Sequence, residues 1–332
     1  MTLLLCGLLM LVPTASADVL KGIRARGMLH CGVSEGIAGF SMPDAAGRWQ
    51  GLDADFCRAL AAAVLEDPEK VRFVPLRAAA RFPALQAGKV DVVARNTTWT
   101  LHREAIIGVR FPAVLFYDSQ GFMVPAALPV ASAAELAGAS ICVVKGTTSG
   151  RNLSRWATRL GIEIEPLVLD SVSAAREAFF AGRCAAWSSD RAQLASVRSS
   201  APGGASNWRI LPDQISKEPV GPAIWGGDER WAMIVRWVLF ALIRAEEDGV
   251  TQANLDERIA AGDTVQFFAT GQEHQKLLGE AMAMVPGWSV RAVRAVGNYG
   301  ELFERHLAPH GIERGLNHLW TQGGLMYAPP VD

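Results

Sequence analysis

One guanidinium, one carboxylate and two hydroxyl-rich loops are the groups in this chain best suited to hold a small charged molecule. The run Asn96-Thr97-Thr98-Trp99-Thr100 follows an apolar stretch ending at Arg95 and leads to Arg103. That places hydroxyls and a guanidinium at the carboxyl end of an expected strand, where open α/β sheets bind ligands. A guanidinium holds a carboxylate through two parallel hydrogen bonds, although an ion pair to Glu104 or Asp118 explains Arg103 more simply when it is taken alone. Gly146-Thr147-Thr148 follows another apolar run and opens a helical pattern. Its N–H groups would face an anion at the positive end of a helix, and an ordinary Thr cap accounts for it equally well. Asp190 closes the run Ala186-Trp187-Ser188-Ser189 and is placed either to accept from an ammonium or to cap the next helix, the cap being the simpler reading. Of the six histidines, His306 and His310 are four residues apart without a third ligand nearby, and His102, beside Arg103, is the one candidate base. No metal site and no cofactor is expected.

The elements that must position these groups alternate. Met28 to Val33, Val71 to Pro75 and Val90 to Arg95 read as strands, with helices near Asp53 to Leu65 and Ala79 to Ala87 between them. The alternation recurs with strands near Ser140 to Val144, Ile162 to Leu169 and Cys184 to Ser188, and helices near Thr148 to Leu160 and Ser171 to Ala181. This pattern predicts α/β lobes with mostly parallel sheets. A faint internal echo supports two similar lobes: Gln86-Ala87-Gly88-Lys89-Val90-Asp91-Val92 against Phe180-Ala181-Gly182-Arg183-Cys184-Ala185-Ala186, each a helix stopping at Gly beside a basic residue with a strand beginning at once. Extended stretches at Leu115 to Val124 and Ile215 to Ile224 read as two crossings between lobes. Lobe one then comprises 18–121 and 218–332, with a helical C-terminal part, and lobe two is 122–217. Two crossings make a hinge.

At 332 residues the chain exceeds what one core organises, which agrees with two lobes. Hydrophobic residues make up 50% and charged residues 20%, a globular balance, and the formal net charge of -1 removes the electrostatic case for nucleic acid or an anionic membrane as partner. Residues 1–17 carry no charge, hold the apolar run Leu3 to Val12 and end in Ala15-Ser16-Ala17, which reads as a signal peptide cleaved after Ala17 and a mature protein in the periplasm. Trp231 to Ile243 is interrupted by Arg236 and suits a core helix better than a membrane span. Removal of the leader takes Cys6 and leaves Cys31, Cys57, Cys142 and Cys184 in an oxidising compartment. Three pairings are possible; Cys31 with Cys57 and Cys142 with Cys184, one bond within each half, is the expected one.

Taken in order, the runs His30-Cys31-Gly32-Val33, Gly51-Leu52-Asp53-Ala54-Asp55-Phe56-Cys57, Arg95 to Thr100, Gly146-Thr147-Thr148, Ile215-Ser216-Lys217-Glu218-Pro219, Gly297-Asn298-Tyr299-Gly300-Glu301 and Gly323 to Pro330 resemble the general L-amino-acid branch of the polar amino-acid binding proteins of ABC transporters. The resemblance spans essentially the whole mature chain. It implies a type II periplasmic binding fold, two α/β lobes joined by two crossover strands, with an L-amino acid as ligand, an ABC permease as partner, a monomeric state and no catalytic activity. It also implies roles. Arg103 would clamp the ligand carboxylate with Thr98, Thr147 and Thr148. Asp190 would take the ammonium, with the Asn96 backbone and the Thr98 hydroxyl as further acceptors, and Phe82 would form a wall. Ile37 stands where many relatives carry a stacking aromatic and Ser34 where a side chain is often read, which points to broad specificity. Lys145 either tilts preference toward acidic ligands or is a solvated lysine. A secreted enzyme on the same scaffold, resembling prephenate or arogenate dehydratase, is the alternative, and it would need an acid or base positioned in the cleft.

Overall fold

The computed structural model describes residues 18–262 and 273–331, so the leader expected over residues 1–17 lies outside it. After helix α1 (Val19–Arg26), strand β1 (Leu29–Val33), helix α2 (Leu52–Leu65), strand β2 (Val71–Pro75), helix α3 (Arg81–Gln86) and the short strand β3 (Val92–Val93) build a parallel sheet of order β2-β1-β3. The chain then crosses through β4 (Phe116–Asp118). A second sheet takes β5 (Gln120–Pro125), β6 (Ser140–Val144), β7 (Glu165–Leu169), β8 (Ala186–Asp190) and β9 (Trp208–Ile210), with helices α4 (Ser149–Leu160), α5 (Val172–Phe180) and α6 (Arg191–Ser199) between its strands. Its order is β7-β6-β8-β5-β9, with β6 parallel to β7 and β8 and with β5 antiparallel to its neighbours. Three strands of each sheet therefore share one winding, the second strand beside the first and the first beside the third. β5 starts at Gln120, two residues ahead of the boundary expected at 122.

The return crossing, β10 (Glu218–Val220), pairs antiparallel with β4, Glu218 opposite Asp118 and Val220 opposite Phe116. This two-stranded ribbon is the hinge. Beyond it, helices α7 (Glu229–Glu247), α8 (Trp288–Val296) and α9 (Tyr299–His306) return to the first lobe. α2 is buried on nearly every face, and its Ala-rich run Ala59 to Ala63 lets α7 and α8 approach closely, as expected of a helix apolar all round. α7 covers the apolar run read from sequence as a core helix, and no helix among the described residues is long and apolar enough to cross a membrane.

The internal echo has a physical counterpart. Gly88 and Gly182 both take a left-handed conformation after their helices, and the basic residue after each donates back into the last turn, Lys89 to the Ala84 carbonyl and Arg183 to that of Ala178, both at 2.9 Å. Cysteines are bonded within each lobe, Cys31 to Cys57 and Cys142 to Cys184, with Cα separations of 6.3 and 5.7 Å. Peptide mapping of the non-reduced protein is expected to return these two pairs. Their sequence separations of 26 and 42 residues set loop-closure contributions of about 3.5 and about 4 kcal/mol, so reduction should lower the melting temperature by several degrees. A Cys57–Cys142 peptide would refute the pairing.

Candidate ligand-binding cleft

The carboxyl ends of β3, β6 and β8 face one another across the hinge. Leaving β3, the chain turns at Asn96, which has a φ of 30°, a value Asn tolerates better than most residues. The Asn96 N–H donates to Asp53 at 3.2 Å. Burial pushes the Asp53 carboxyl up to about 7, against the lowering effect of the Asn96 N–H and of Arg95. The sign follows: the folded state keeps a proton that the unfolded chain loses near pH 4, so the stability contribution is full below that pH and fades as pH rises through about 7. With a shift of about three pKa units the loss is on the order of 4 kcal/mol. Asp53→Asn preserves an acceptor for Asn96 and removes the titration. Denaturant unfolding at pH 5 and pH 8 should therefore show the wild type losing stability relative to the variant; parallel pH profiles would reject the assignment.

Arg103 begins the wide, single π-helical turn Arg103–Ile107 and is buried. Its guanidinium donates to the Thr98 carbonyl and lies 5.3 Å from the centre of the Phe82 ring. Among the described residues no carboxylate comes within ion-pair distance of it, so the pairing to Glu104 or Asp118 does not occur. Burial, chiefly, brings its pKa down to about 10. Asp190 occupies the residue before α6, yet its carboxylate caps no helical N–H. It accepts instead from the Asn96 side-chain amide of the other lobe at 3.0 Å. Burial first, then the Asp118 and Glu218 carboxylates, raises its pKa well above the ordinary range. Arg103, Asp190, Asn96, Thr98, Thr147 and Thr148 border one narrow cavity of about 20 Å³ between the lobes.

The lobes touch around that cavity. A Cβ on Gly146 would stand 2.8 Å from the Ala79 Cα, and Ser196 donates to the Ala38 carbonyl at 2.7 Å. The Thr147 hydroxyl donates to the Val144 carbonyl and accepts from the Ser149 N–H, so it locks its own loop. The protons of Thr98 and Thr148 both go to Glu218, which leaves those hydroxyls as acceptors. Phe82 is half-buried, under the guanidiniums of Arg81 and Arg103. Phe82, Ser34 and Ile37 do not border the cavity. Ser34 bonds to the Ser41 hydroxyl and carbonyl, folding the loop back on itself, and Ile37 enters the core of the first lobe. Lys145 is exposed beside Asp170 at 3.9 Å and lies outside the cavity.

Three charged residues at the site escape the sequence reading. Glu218, fully buried in the hinge, accepts from Thr98, Thr148, Asn152 and Ser216. Arg81 and Arg95 line the cavity. Their signals in sequence are faint: a glutamate inside an extended stretch that must cross between lobes, and arginines inside apolar runs.

Two lobes, a two-strand hinge and a charged interlobe cavity define the two-lobed periplasmic binding class of type II. The chain belongs to the bacterial extracellular solute-binding proteins, family 3, which residues 29–282 match. It is 44% identical to the general L-amino acid-binding periplasmic protein AapJ of Rhizobium johnstonii over 96% of this chain and 94% of that one. It is 45% identical to the glutamate/glutamine/aspartate/asparagine-binding protein BztA of Rhodobacter capsulatus over 95% and 94%. A solved structure of an ABC transporter periplasmic binding protein from Brucella ovis with glutathione bound superposes with a TM-score of 0.91 at 42% identity, covering 95% of this chain and all of that one.

Proposed function

We propose that the protein binds an L-amino acid between its lobes and delivers it to an ABC permease, without catalysing a reaction. The observation carrying this reading is that Arg103 and Asp190, opposite in charge and anchored in different lobes, border one cavity at the hinge. A zwitterion bridging them favours the closed arrangement by its differential affinity for that state. The names of the relatives support the ligand class, and that of the Brucella ovis structure supports the transporter. In this reading the leader 1–17 is cleaved after Ala17, lobe one is 18–121 with 218–332 and lobe two is 122–217. The mature protein acts as a monomer in the periplasm and binds no nucleic acid. The dehydratase alternative has His102 as its base, and that residue is exposed on the wall of a neighbouring groove rather than in the cavity.

A thermal-shift screen of the twenty L-amino acids with prephenate and glutathione tests this. Glutathione is included because the same groove, about 860 Å³ and bordered by Arg151, Arg155 and Lys217, opens beside the same Thr98 and Thr148. A ligand at a hundred times its Kd adds about 2.7 kcal/mol of apparent stability, a rise of several degrees. A shift with prephenate alone, or with no amino acid, would sink the proposal.

A further inference from the structure

The groove beside the amino-acid cavity carries charge that the chain itself does not answer. It is bordered by α4 of the second lobe, by Thr100 and His102 of the first and by hinge residues Ile215 to Glu218. Arg151, Arg155 and Arg159 recur at every fourth residue of α4, so they share one face with their Cα atoms about 6 Å apart. Lys217 joins them from the hinge. All four are exposed, and among the described residues none forms an ion pair. The one carboxylate bordering the groove is that of Glu218, which is buried and already accepts from Thr98, Thr148, Asn152 and Ser216.

A merely solvated helix face interleaves both signs of charge. α4 contains no acidic residue, so its arginines at i and i+4 repel one another without internal relief. The whole chain has a net charge of -1, which makes four cations at one concave place a local choice and not an effect of composition. The repulsion also reaches across the lobes. Burial chiefly lowers the Arg103 pKa, the Glu218 and Asp190 carboxylates work against that, and the Arg151 charge of the opposite lobe adds to it. Like charges on the two lobes oppose closure, and an anion in the groove would relieve them. We propose that this groove is a second ligand site, separate from the amino-acid cavity, for a small oligoanion, and that the anion favours the closed arrangement by joining α4 to Thr100 and His102. Guanidiniums take carboxylate and phosphate alike through paired hydrogen bonds, and their spacing suits charged groups about 6 Å apart, as at the two ends of a tricarboxylate or a short polyphosphate.

Calorimetric titration of citrate and of tripolyphosphate, at constant ionic strength and without amino acid, tests the site. The proteins are wild type, Arg151→Gln with Arg155→Gln, and a charge-matched control, Arg176→Gln with Arg183→Gln, whose arginines are exposed on the same lobe outside the groove. Glutamine is a good helix former, so α4 should persist, and circular dichroism checks it. Wild type should bind at least one of the anions, the groove variant roughly tenfold more weakly and the control within about twofold of wild type. The tighter anion assigns carboxylate or phosphate chemistry to the site. No binding of either anion, or equal weakening in both double variants, overturns the proposal. Small-angle scattering reads the link to closure: the bound anion should lower the radius of gyration of wild type, and binding without compaction refutes that link. Neither measurement contains an amino acid, so failure of the amino-acid reading would show in the thermal-shift screen and not here.

Discussion

Arg103→Ala is expected to weaken amino-acid binding by about 2 to 5 kcal/mol, and Asp190→Asn to penalise amino acids far more than the matching carboxylic acids without the amino group. Removing the guanidinium takes away a charge-assisted contact and leaves the ligand carboxylate desolvated in a cavity with little room for water. Its present partners, the Thr98 carbonyl and the Phe82 ring, are local, so the lobe should still fold. Asp190→Asn keeps the shape of the side chain, and since its carboxylate caps no helical N–H the fold should tolerate the change. The same residue carries a pH signature. Burial, with the Asp118 and Glu218 charges, holds its pKa up in the free protein; an arriving ammonium lowers it again. Wherever the free carboxyl is protonated, binding therefore releases a proton, and the observed heat should vary with the ionisation enthalpy of the buffer in wild type but not in Asp190→Asn. Titration calorimetry in two buffers, with folding checked by circular dichroism, measures all of this. Near-normal amino-acid affinity in either variant would return that residue to a structural role.

What the sequence makes legible here is whatever local periodicity encodes. Val71 to Pro75 and Ser140 to Val144 appear as strands with the expected ends, and α4 follows Thr148 directly, because each is a short apolar run bounded by turn chemistry. The disulfides could be read because each joins a strand to a nearby segment of its own lobe, β1 to α2 and β6 to the turn before β8. The cavity was legible only in part. Asp190 and Asn96 meet across 94 residues of sequence, and Arg81 reaches Gly146 across 65, distances that only closure of two separately folded lobes sets. Ser34 and Ile37 fall outside the cavity for a local reason that composition does not announce: the hydroxyl of Ser34 finds that of Ser41 at 2.7 Å and turns the loop inward.

Glu218 makes that closure testable. Its carboxylate sits on the returning hinge strand and gathers the Thr98 hydroxyl from the first lobe, the Thr148 hydroxyl and Asn152 amide from the second, and Ser216 from the crossing segment itself. In the closed arrangement Glu218→Ala would leave these donors without their shared acceptor inside a region 1% exposed at its centre. Orphaned buried donors cost about 1 to 3 kcal/mol each, and relaxation makes the sum smaller than the parts, so a total on the order of 3 to 5 kcal/mol is expected. The cost falls mainly on the closed form, because parting the lobes returns Thr98 and Thr148 to water while the interior of each lobe is unchanged. Closure should therefore become the limiting step in affinity, which drops by about a hundredfold if roughly 2.7 kcal/mol of that cost is specific to the closed state. Small-angle scattering with ligand at a concentration that saturates wild type should show Glu218→Ala keeping the larger radius of gyration of the open form. Glu218→Gln retains one acceptor oxygen and should fall between the two. Wild-type affinity and full compaction in Glu218→Ala would show that the hinge closes without this carboxylate.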